Sequence, residues 1–250
     1  MSSQVILVTG GSRGIGIALV DVLLQQGHQV ATFVRTRTPE LEALGTIHSD
    51  KLLIIQGDLT SERAGSQAVL TTVAHFGRLD SLILNGASAG PIATLLDSST
   101  KDIVDTFSTN VFSIYAFLQA AIPFLRRTHG RVVAVSSSSA SGGAGISVYG
   151  ATKAALNTLI GSVAKEEPEI AFLAVDPGIV DTDMAKEYRE HGGAALPPHI
   201  HDFLLSLKSE AKLLQPAEIA LSLASFALHM PMMRSSVAEP SCGTEMRRNN

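Results

Sequence analysis

The chain has 250 residues, of which 45% are hydrophobic and 17% are charged. A chain of this size can bury one large core, and no charged or Pro/Ser-rich linker divides it, so we expect one domain over residues 1–250. The formal net charge of −4 at pH 7 gives no long-range attraction for nucleic acid or for an anionic membrane surface. Neither class of partner is therefore expected.

Cysteine usage and the start of the sequence favour a cytoplasmic protein. Cys242 is the single cysteine in the sequence, which excludes an internal disulfide. The polar residues 1–4 lead directly into a short apolar run without a basic leader. No run approaches the roughly 18 apolar residues that cross a bilayer, so we expect neither a targeting segment nor a membrane span.

Six short apolar runs alternate with helix-length spacers along the chain, and each run is a candidate β-strand. They are residues 5–8, 29–34, 52–56, 82–84, 131–135 and 170–175. Spacers of this length accommodate the crossover helices that join parallel strands. The pattern predicts a doubly wound α/β fold with a mainly parallel sheet.

Three spacers carry clear helix signals. Apolar residues recur every three or four positions over 101–127, which predicts one long amphipathic helix. A second helix is predicted from Ser147 toward Glu166, because Pro168 disfavours helical geometry at the residue before it. A last helix is predicted over 216–228, with Pro216 in its first turn.

The loop after the first strand is rich in glycine: residues 9–16 read TGGSRGIG and a helical run follows. Glycines let the backbone approach a pyrophosphate, and free N–H groups at the start of a helix stabilise its charge. The loop therefore predicts a dinucleotide site formed by Gly10, Ser12, Arg13, Gly14, Ile15 and Gly16.

The chain resembles the short-chain dehydrogenase/reductase family over about residues 4–228. The loop has the family spacing T-G-x-x-x-G-x-G, and further family segments follow in order: Asp58-Leu59, residues 84–87 (LNGA), Asn110, residues 149–153 (YGATK) and residues 177–182 (PGIVDT). The finer pattern of Glu166-Glu167-Pro168 with residues 178–182 is similar to the fungal benzil reductase and sepiapterin reductase-like branch. The resemblance implies a Rossmann-type fold and an oxidoreductase.

The resemblance also implies roles for several residues in holding the adenosine half of a cofactor. Asp58 and Leu59 would lie at the adenine, with the Asp58 carboxylate accepting from its amino group. Asn85, Gly86 and Ala87 would lie along the ribose, although LNGA departs from the common N-N-A-G. That departure bears on individual contacts rather than on the pocket.

The end of the second strand favours NADP(H) over NAD(H). An NAD site normally has an acidic residue there to bind the ribose hydroxyls, whereas this chain has Val34. Arg35 follows it and Arg13 lies in the glycine loop, so two guanidiniums are expected to meet a 2′-phosphate. The alternative is that both are ordinary surface charges. Arg37 is an accessory candidate.

Tyr149 and Lys153 are four residues apart on one predicted helix, so their side chains share a face. A nearby ammonium lowers a phenol pKa, which suits Tyr149 to acid/base work near neutral pH. Tyr149 would then protonate a carbonyl oxygen while hydride arrives from a nicotinamide.

Two further positions complete the predicted catalytic group. A hydroxyl donor is needed near the carbonyl, and strand position favours Ser137 from the run 136–139, with Ser136 as the competitor. Asn110 resembles the family asparagine that holds a water linking the lysine to solvent. The alternative for Asn110 is a position that simply faces solvent.

After the sixth strand, Pro177, Gly178, Val180 and Thr182 resemble the segment that holds the nicotinamide carboxamide. Thr182 is also a candidate helix cap. The polar segment 184–212, with its Gly and Pro pairs, predicts a loop-rich lid over the substrate. Its histidines lack paired ligand spacing, so no metal site is expected.

The sequence thus predicts an NADPH-dependent carbonyl reductase acting on a ketone, aldehyde or diketone. The alternative is a non-catalytic NADP(H)-binding sensor or regulator. The tail, residues 229–250, shows no clear seventh strand. The resemblance implies a homo-oligomer formed through the large helices and that final strand, so the departure leaves both a monomer and an oligomer open.

Overall fold

A computed structural model describes residues 3–231; Cys242 and most of the atypical tail lie outside the described residues. Six strands form one sheet in the order β3-β2-β1-β4-β5-β6, and every neighbouring pair is parallel. The strands are β1 Val5–Thr9, β2 Gln29–Val34, β3 Leu52–Gln56, β4 Ser81–Leu84, β5 Arg131–Val135 and β6 Ala171–Val175. The predicted fold class and strand positions are confirmed, with ends shifted by at most one residue.

Nine α-helices lie in the described part of the chain. They are α1 Gly14–Gln25, α2 Pro39–Ile47, α3 Ala64–Phe76, α4 Thr100–Phe107, α5 Ser113–Thr128, α6 Ser147–Glu166, α7 Asp183–His191, α8 Pro198–Ser209 and α9 Pro216–His229. The helices predicted from Ser147 and from Pro216 are confirmed.

Apolar clusters cover both faces of the sheet. On one face α1 packs against α9, and Val20, Leu23 and Leu223 are fully buried there. On the other face α3 packs against α5, with α6 beside them, and Phe117 meets Phe33 of β2 in an edge-to-face contact at 5.5 Å. Strands buried on both faces lose polar alternation, which explains the continuous apolar runs of the sequence.

The long helix predicted over 101–127 is interrupted. Residues Ser108–Phe112 form a π-helical turn between α4 and α5. A π turn accommodates one extra residue, and such turns are frequent at functional sites. The side chain of Asn110 is buried in this turn and binds residues outside the helix.

The run Thr100–Thr128 is also the one helix among the described residues that is long and apolar enough to cross a membrane by composition. Its side chains Phe117, Leu118 and Leu125 belong to the core on one face of the sheet. Their packing is that of a core helix.

The chain order creates the crevice in which the site lies. From β1 the chain moves outward through β2 and β3, then returns to place β4 on the other side of β1. The loops that follow β1 and β4 therefore diverge at the carboxyl edge of the sheet, where doubly wound folds bind ligands.

Candidate active site

A cavity of about 1120 Å³ opens at this carboxyl edge. Nearly every site residue predicted from the sequence lines it: Gly10, Ser12, Arg13, Gly14, Ile15, Gly16, Arg35, Asp58, Leu59, Asn85, Gly86, Ala87, Ser137, Tyr149, Lys153, Pro177, Gly178, Val180 and Thr182. Asn110 and the accessory candidate Arg37 do not line it, and Asn110 lies behind the cavity wall.

The glycine loop is held close to the start of the fourth-strand loop. Gly10 has a φ of +74°, and a Cβ there would lie 2.7 Å from the Cα of Gly86. A Cβ on Gly16 would lie 2.1 Å from the carbonyl oxygen of Gly10. Both positions therefore require glycine, as the spacing predicts.

The start of α1 fits a diphosphate. The helix begins at Gly14 without a side-chain cap and without an acidic residue in its first turn. Its first N–H groups and the positive end of its dipole thus face the cavity without a competing carboxylate in that turn. These residues fit the pyrophosphate of a nicotinamide dinucleotide.

Thr9 fastens the glycine loop to the loop after β4. Its hydroxyl accepts hydrogen bonds from the backbone N–H groups of Asn85 and Gly86, both at 3.0 Å. The side-chain amide of Asn85 donates to the carbonyls of Thr9 at 3.1 Å and Gly10 at 3.2 Å. The Asn85 amide nitrogen thus binds the glycine loop of the protein itself. The expectation was that this side chain lies along the cofactor ribose.

Asp58 lies at the outer end of the cavity. Its carboxylate accepts from the backbone N–H of Thr60 at 2.8 Å and from the Thr60 hydroxyl at 2.7 Å. These two bonds hold the pKa of Asp58 below its usual range. The charged Asp58 carboxylate is therefore able to accept a hydrogen bond from the amino group of an adenine, which is the role that the family resemblance implies.

The arginines proposed for a 2′-phosphate have different surroundings. Arg13 and Arg35 both line the cavity, and Val34 is buried at the end of β2. Arg13 lies 3.7 Å from the carboxylate of Asp183, as an exposed pair. Arg37 instead binds Glu42, with an N–O distance of 3.0 Å, and does not line this cavity.

Tyr149 and Lys153 lie side by side in the cavity wall. Tyr149 is 8% exposed, Lys153 is 4% exposed, and the Lys153 nitrogen lies 5.5 Å from the centre of the Tyr149 ring. The ammonium donates to the carbonyl of Val135 at the end of β5, at 2.6 Å. Helix α6 and the end of β5 together fix both side chains.

Burial dominates the ionisation of both groups. It raises the pKa of Tyr149 to about 12, opposed by a hydrogen bond with Ser137. It lowers the pKa of Lys153 to about 8, opposed by the carboxylate of Asp176. The expectation that the pKa of Tyr149 is shifted down toward neutrality is therefore wrong, because desolvation outweighs the influences that favour the ionised phenol.

The two candidate serines point to different partners. The Ser137 hydroxyl hydrogen-bonds with Tyr149 and also accepts from the backbone N–H of Ser139 at 3.2 Å. The Ser136 hydroxyl donates to the Asn157 side chain on α6 at 2.6 Å. The geometry brings Ser137, rather than Ser136, to the phenol.

Asn110 is 1% exposed, so the solvent-facing alternative is wrong. Its side chain bridges the loop after β4 to α6: its oxygen accepts from the N–H of Ser88 at 2.8 Å, and its nitrogen donates to the Ser88 carbonyl at 2.8 Å and the Thr152 hydroxyl at 3.1 Å. Thr152 in turn donates to the carbonyl of Tyr149 at 2.7 Å. Asn110 therefore holds α6 in position beside Lys153.

The turn after β6 forms the opposite wall. Gly178 has a φ of +74°, and its N–H donates to the Asp176 carboxylate at 2.9 Å. Thr182 caps α7 by accepting from the N–H of Ala185 at 3.3 Å. The predicted turn and cap are both present, with Val180 buried between them.

The polar segment 184–212 is helical rather than loop-rich. It contains most of α7, a short 3-10 turn and all of α8. Asp181 binds Lys208 of α8 at 2.7 Å and Arg189 of α7 at 3.5 Å, and the His201 ring nitrogen lies 2.8 Å from the Arg189 carbonyl oxygen. No group of three or more possible metal ligands occurs among residues 3–231.

Sequence reasoning missed three polar residues at this site. Thr9 and Asp176 lie at the ends of β1 and β6, where strand position could have marked them. Tyr188 also lines the cavity, but it lies inside the polar segment and carries no motif.

The comparisons with known proteins agree with this architecture. Residues 4–193 match the short chain dehydrogenase family. The chain is 37% identical over 235 residues to an oxidoreductase of Schizosaccharomyces pombe, covering 91% of this chain and 92% of that protein. It is 31% identical over 238 residues to an (S)-benzoin-forming benzil reductase of Saccharomyces cerevisiae, covering 90% of each.

Solved structures extend the likeness to three dimensions. A short-chain dehydrogenase/reductase of Saccharomyces cerevisiae superposes with a TM-score of 0.87 at 34% identity, covering 91% of each chain. An enzyme described as KRED1-Pglu also reaches 0.87 at 31% identity, covering 91% of this chain and 95% of its own. The chain belongs to the short-chain dehydrogenase/reductase family, with fungal relatives, and is an oxidoreductase of small molecules that uses a nicotinamide cofactor.

Proposed function

We propose that this protein is an NADPH-dependent carbonyl reductase in which Tyr149 is the general acid. One observation carries the proposal: a buried phenol, hydrogen-bonded to Ser137 and adjacent to Lys153, lies in the same cavity as the glycine loop. A proton donor beside a dinucleotide site is what the reduction of a C=O bond needs.

The protonation state of Tyr149 suits it to act as an acid. With its pKa raised to about 12, Tyr149 keeps its proton at neutral pH until a more basic oxygen forms beside it. When bound, the reduced nicotinamide supplies hydride to the carbonyl carbon. Tyr149 then gives its proton to the carbonyl oxygen, and the product leaves as an alcohol.

Ser137 and Lys153 stabilise the charge that this transfer creates. Because the Ser137 oxygen accepts from Ser139, its own proton is available to the phenolate or to the substrate oxygen. The Lys153 ammonium, buried and anchored on the Val135 carbonyl, stabilises the phenolate electrostatically. Asn110 supports Tyr149 and Lys153 by positioning α6, on which both lie.

The preference for NADPH rests on Arg13 and Arg35, which line the cavity near the end of β2, where Val34 replaces an acidic side chain. Guanidiniums suit a phosphate. Position 34 lacks the carboxylate that binds the ribose hydroxyls in NAD-specific sites. The proposal of a hydrophobic carbonyl substrate is based on the apolar wall of the cavity, formed by Met184, Leu196, Ile200 and Leu204.

The test is a panel of ketones, aldehydes and diketones assayed with NADPH and NADH in parallel. We expect oxidation of NADPH with some member of the panel, and a kcat/KM with NADPH at least about tenfold above that with NADH. Arg35→Ala should narrow that ratio, whereas Arg37→Ala, which removes a guanidinium already bound to Glu42, should leave it unchanged. Cofactor binding without turnover would instead indicate a sensor or regulator.

A homo-oligomer and a cytoplasmic location stay predictions. Size-exclusion chromatography with light scattering would test the first, and fractionation of cells that contain the protein would test the second.

A further inference from the structure

Helix α7 separates two cavities and presents a different face to each. Beyond Asp183, which borders both, the residues of α7 that line the catalytic cavity are Met184, Ala185, Glu187 and Tyr188. Those that line a second cavity of about 970 Å³, shared with α1, α2 and the start of α9, are Lys186, Arg189 and Glu190. Residues three and four apart share one face of a helix. The Glu187 side chain therefore lies on the catalytic side of α7, and that of Glu190 lies on the opposite side.

The orientation of α7 is fixed at both ends of the stretch that carries Glu187. Before it, Thr182 caps the helix by accepting from the N–H of Ala185 at 3.3 Å. After it, the Arg189 guanidinium, in a side chain only 10% exposed, lies 3.5 Å from the carboxylate of Asp181. The face that lines the catalytic cavity is thus held in place before a substrate arrives.

The charge of Glu187 acts inside the cavity wall. Burial raises the pKa of Tyr188 above its usual range, and the charges of Tyr149 and Glu187 raise it further. The Glu187 carboxylate is itself exposed, so it keeps its charge, while the Tyr188 hydroxyl is buried. The same carboxylate acts on any ionised group that a substrate places against this wall.

Glu187 differs from the other carboxylates that line the catalytic cavity. The others each have a hydrogen bond or an ion pair with a neighbour: Asp58 with Thr60, Asp102 with Ser99, Asp105 with Lys101 and Asp183 with Arg13. The side chain of Glu187 has neither among residues 3–231. Its negative charge is therefore left for the contents of the cavity.

The cations of the cavity are committed elsewhere. Among residues 3–231, the Lys and Arg side chains that line it are Arg13, Arg35 and Lys153. The two arginines lie at the end assigned to the adenosine half of the cofactor. Lys153 is 4% exposed and donates to the carbonyl of Val135 at 2.6 Å. A carboxylate on a substrate would thus meet Glu187 without a free counterion, whereas an ammonium would be attracted by it.

We propose that Glu187 is a specificity-determining residue that favours carbonyl substrates bearing a positive charge and disfavours those bearing a carboxylate. The proposal rests on the proposed function, and it concerns a charge remote from the reacting C=O bond. Hydride and proton transfer are the same for every substrate. Glu187 acts through the electrostatic free energy of bringing a charged substrate into the cavity, so its effect should weaken as salt is added.

The test uses three para-substituted acetophenones that differ in charge. They are 4-acetylbenzoate, its uncharged methyl ester, and 4-(aminomethyl)acetophenone, which is an ammonium ion at neutral pH. In Glu187→Gln we expect kcat/KM to rise about fivefold for the carboxylate, to fall about fivefold for the ammonium and to change by less than about twofold for the ester. Comparing each ketone between variant and wild type cancels its intrinsic reactivity.

Glu190→Gln is the matched control. It makes the same change of charge on the same helix, but on the opposite face, where the Glu190 carboxylate lies 3.7 Å from the Lys186 ammonium. It should change kcat/KM for each ketone by less than about twofold. Glu187→Lys should reverse the preference, so that the carboxylate gains and the ammonium loses. Raising the salt concentration from about 20 to about 500 mM should shrink both effects.

Equal changes for the three ketones in Glu187→Gln, no change for any of them, or the same changes in Glu190→Gln would overturn the proposal while leaving carbonyl reduction in place. Calorimetric titration of the two charged ketones into protein saturated with NADP⁺ makes the same comparison without turnover. A ratio of affinities that is identical in wild type and Glu187→Lys would overturn the proposal. Charge-selective binding by a wild type that reduces no carbonyl would instead overturn the proposed function alone.

Folding of the variants is checked by thermal unfolding. Because Glu187 is exposed, its substitutions should leave the melting temperature nearly unchanged. A lower melting temperature in Glu187→Gln, with equal losses for all three ketones, would show that Glu187 only supports α7, and the proposal would be wrong.

Discussion

The loop after β1 and the helix after β5 meet at one cavity but are built in different ways. The loop is a backbone structure: glycines allow its close approach to Gly86, and the uncapped start of α1 presents N–H groups. The region around α6 depends on buried side chains, with Lys153 on the Val135 carbonyl and Asn110 between Ser88 and Thr152. Changes in the first region should therefore alter cofactor binding, and changes in the second should alter turnover.

A matched pair of serine variants tests most strongly whether the region around α6 controls turnover rather than cofactor binding. Ser137→Ala removes the hydroxyl that bonds to Tyr149 and should lower kcat by about 100- to 1000-fold with NADPH affinity retained. Ser136→Ala removes a hydroxyl that bonds to Asn157 and should cost far less. Steady-state kinetics and NADPH fluorescence titration measure both effects. A larger loss in Ser136→Ala would reverse the assignment of the serine.

Gly16→Ala tests the backbone half. The added Cβ would lie 2.1 Å from the Gly10 carbonyl oxygen, so the loop must shift, and NADPH should bind about ten- to a hundredfold more weakly. Gly45→Ala, within α2, is the control. Its added Cβ would lie 3.2 Å from the flexible end of the Ile54 side chain, which can move to accommodate it. Unchanged NADPH affinity in Gly16→Ala would show that the loop does not set cofactor binding.

A smaller effect is expected in the pH dependence of reduction. Because burial lowers the pKa of Lys153 to about 8, the ammonium is lost as the pH rises through that value, and kcat/KM should fall about tenfold per unit above it. Tyr149, with a pKa of about 12, stays protonated over this range. The descending limb is measured by following NADPH oxidation in a stopped-flow instrument and plotting kcat/KM against pH from 6 to 10.

Asp176→Asn tests whether the ionisation of Lys153 sets the descending limb of that pH profile. The carboxylate raises the pKa of Lys153, and the isosteric amide keeps an oxygen for the N–H of Gly178, so the limb should move to lower pH by up to about one unit. Asp50→Asn, in the exposed turn before β3, should leave the profile in place. A limb that moves to higher pH in Asp176→Asn would contradict the electrostatic account.

The same division explains what the sequence could predict. The strands and the glycine loop depend on local patterns, so apolar runs and the spacing of Gly10, Gly14 and Gly16 are enough to place them. The π turn around Asn110 depends on contacts with Ser88 and Thr152, which are distant in the chain. No periodicity of the helix itself reveals those contacts.

Burial was the quantity that sequence reasoning lacked. Spacing places Tyr149 beside Lys153, but the sign of the Tyr149 pKa shift follows from desolvation, which the whole fold determines. The Thr182 cap marked the start of α7, but the extent of α7 and the whole of α8 were missed because the polar composition of the segment and its Gly and Pro pairs resemble a loop. Their positions depend on Asp181, which binds both of them.

The central claim is that Tyr149 supplies the proton in carbonyl reduction while the glycine loop binds NADPH independently. The most direct test follows NADPH fluorescence in wild type and Tyr149→Phe, first on titration of cofactor and then on addition of a carbonyl substrate that the wild type reduces. We predict similar NADPH affinities and at least about a 1000-fold loss of carbonyl-dependent NADPH oxidation in the variant. Comparable oxidation rates in the two proteins would contradict the account.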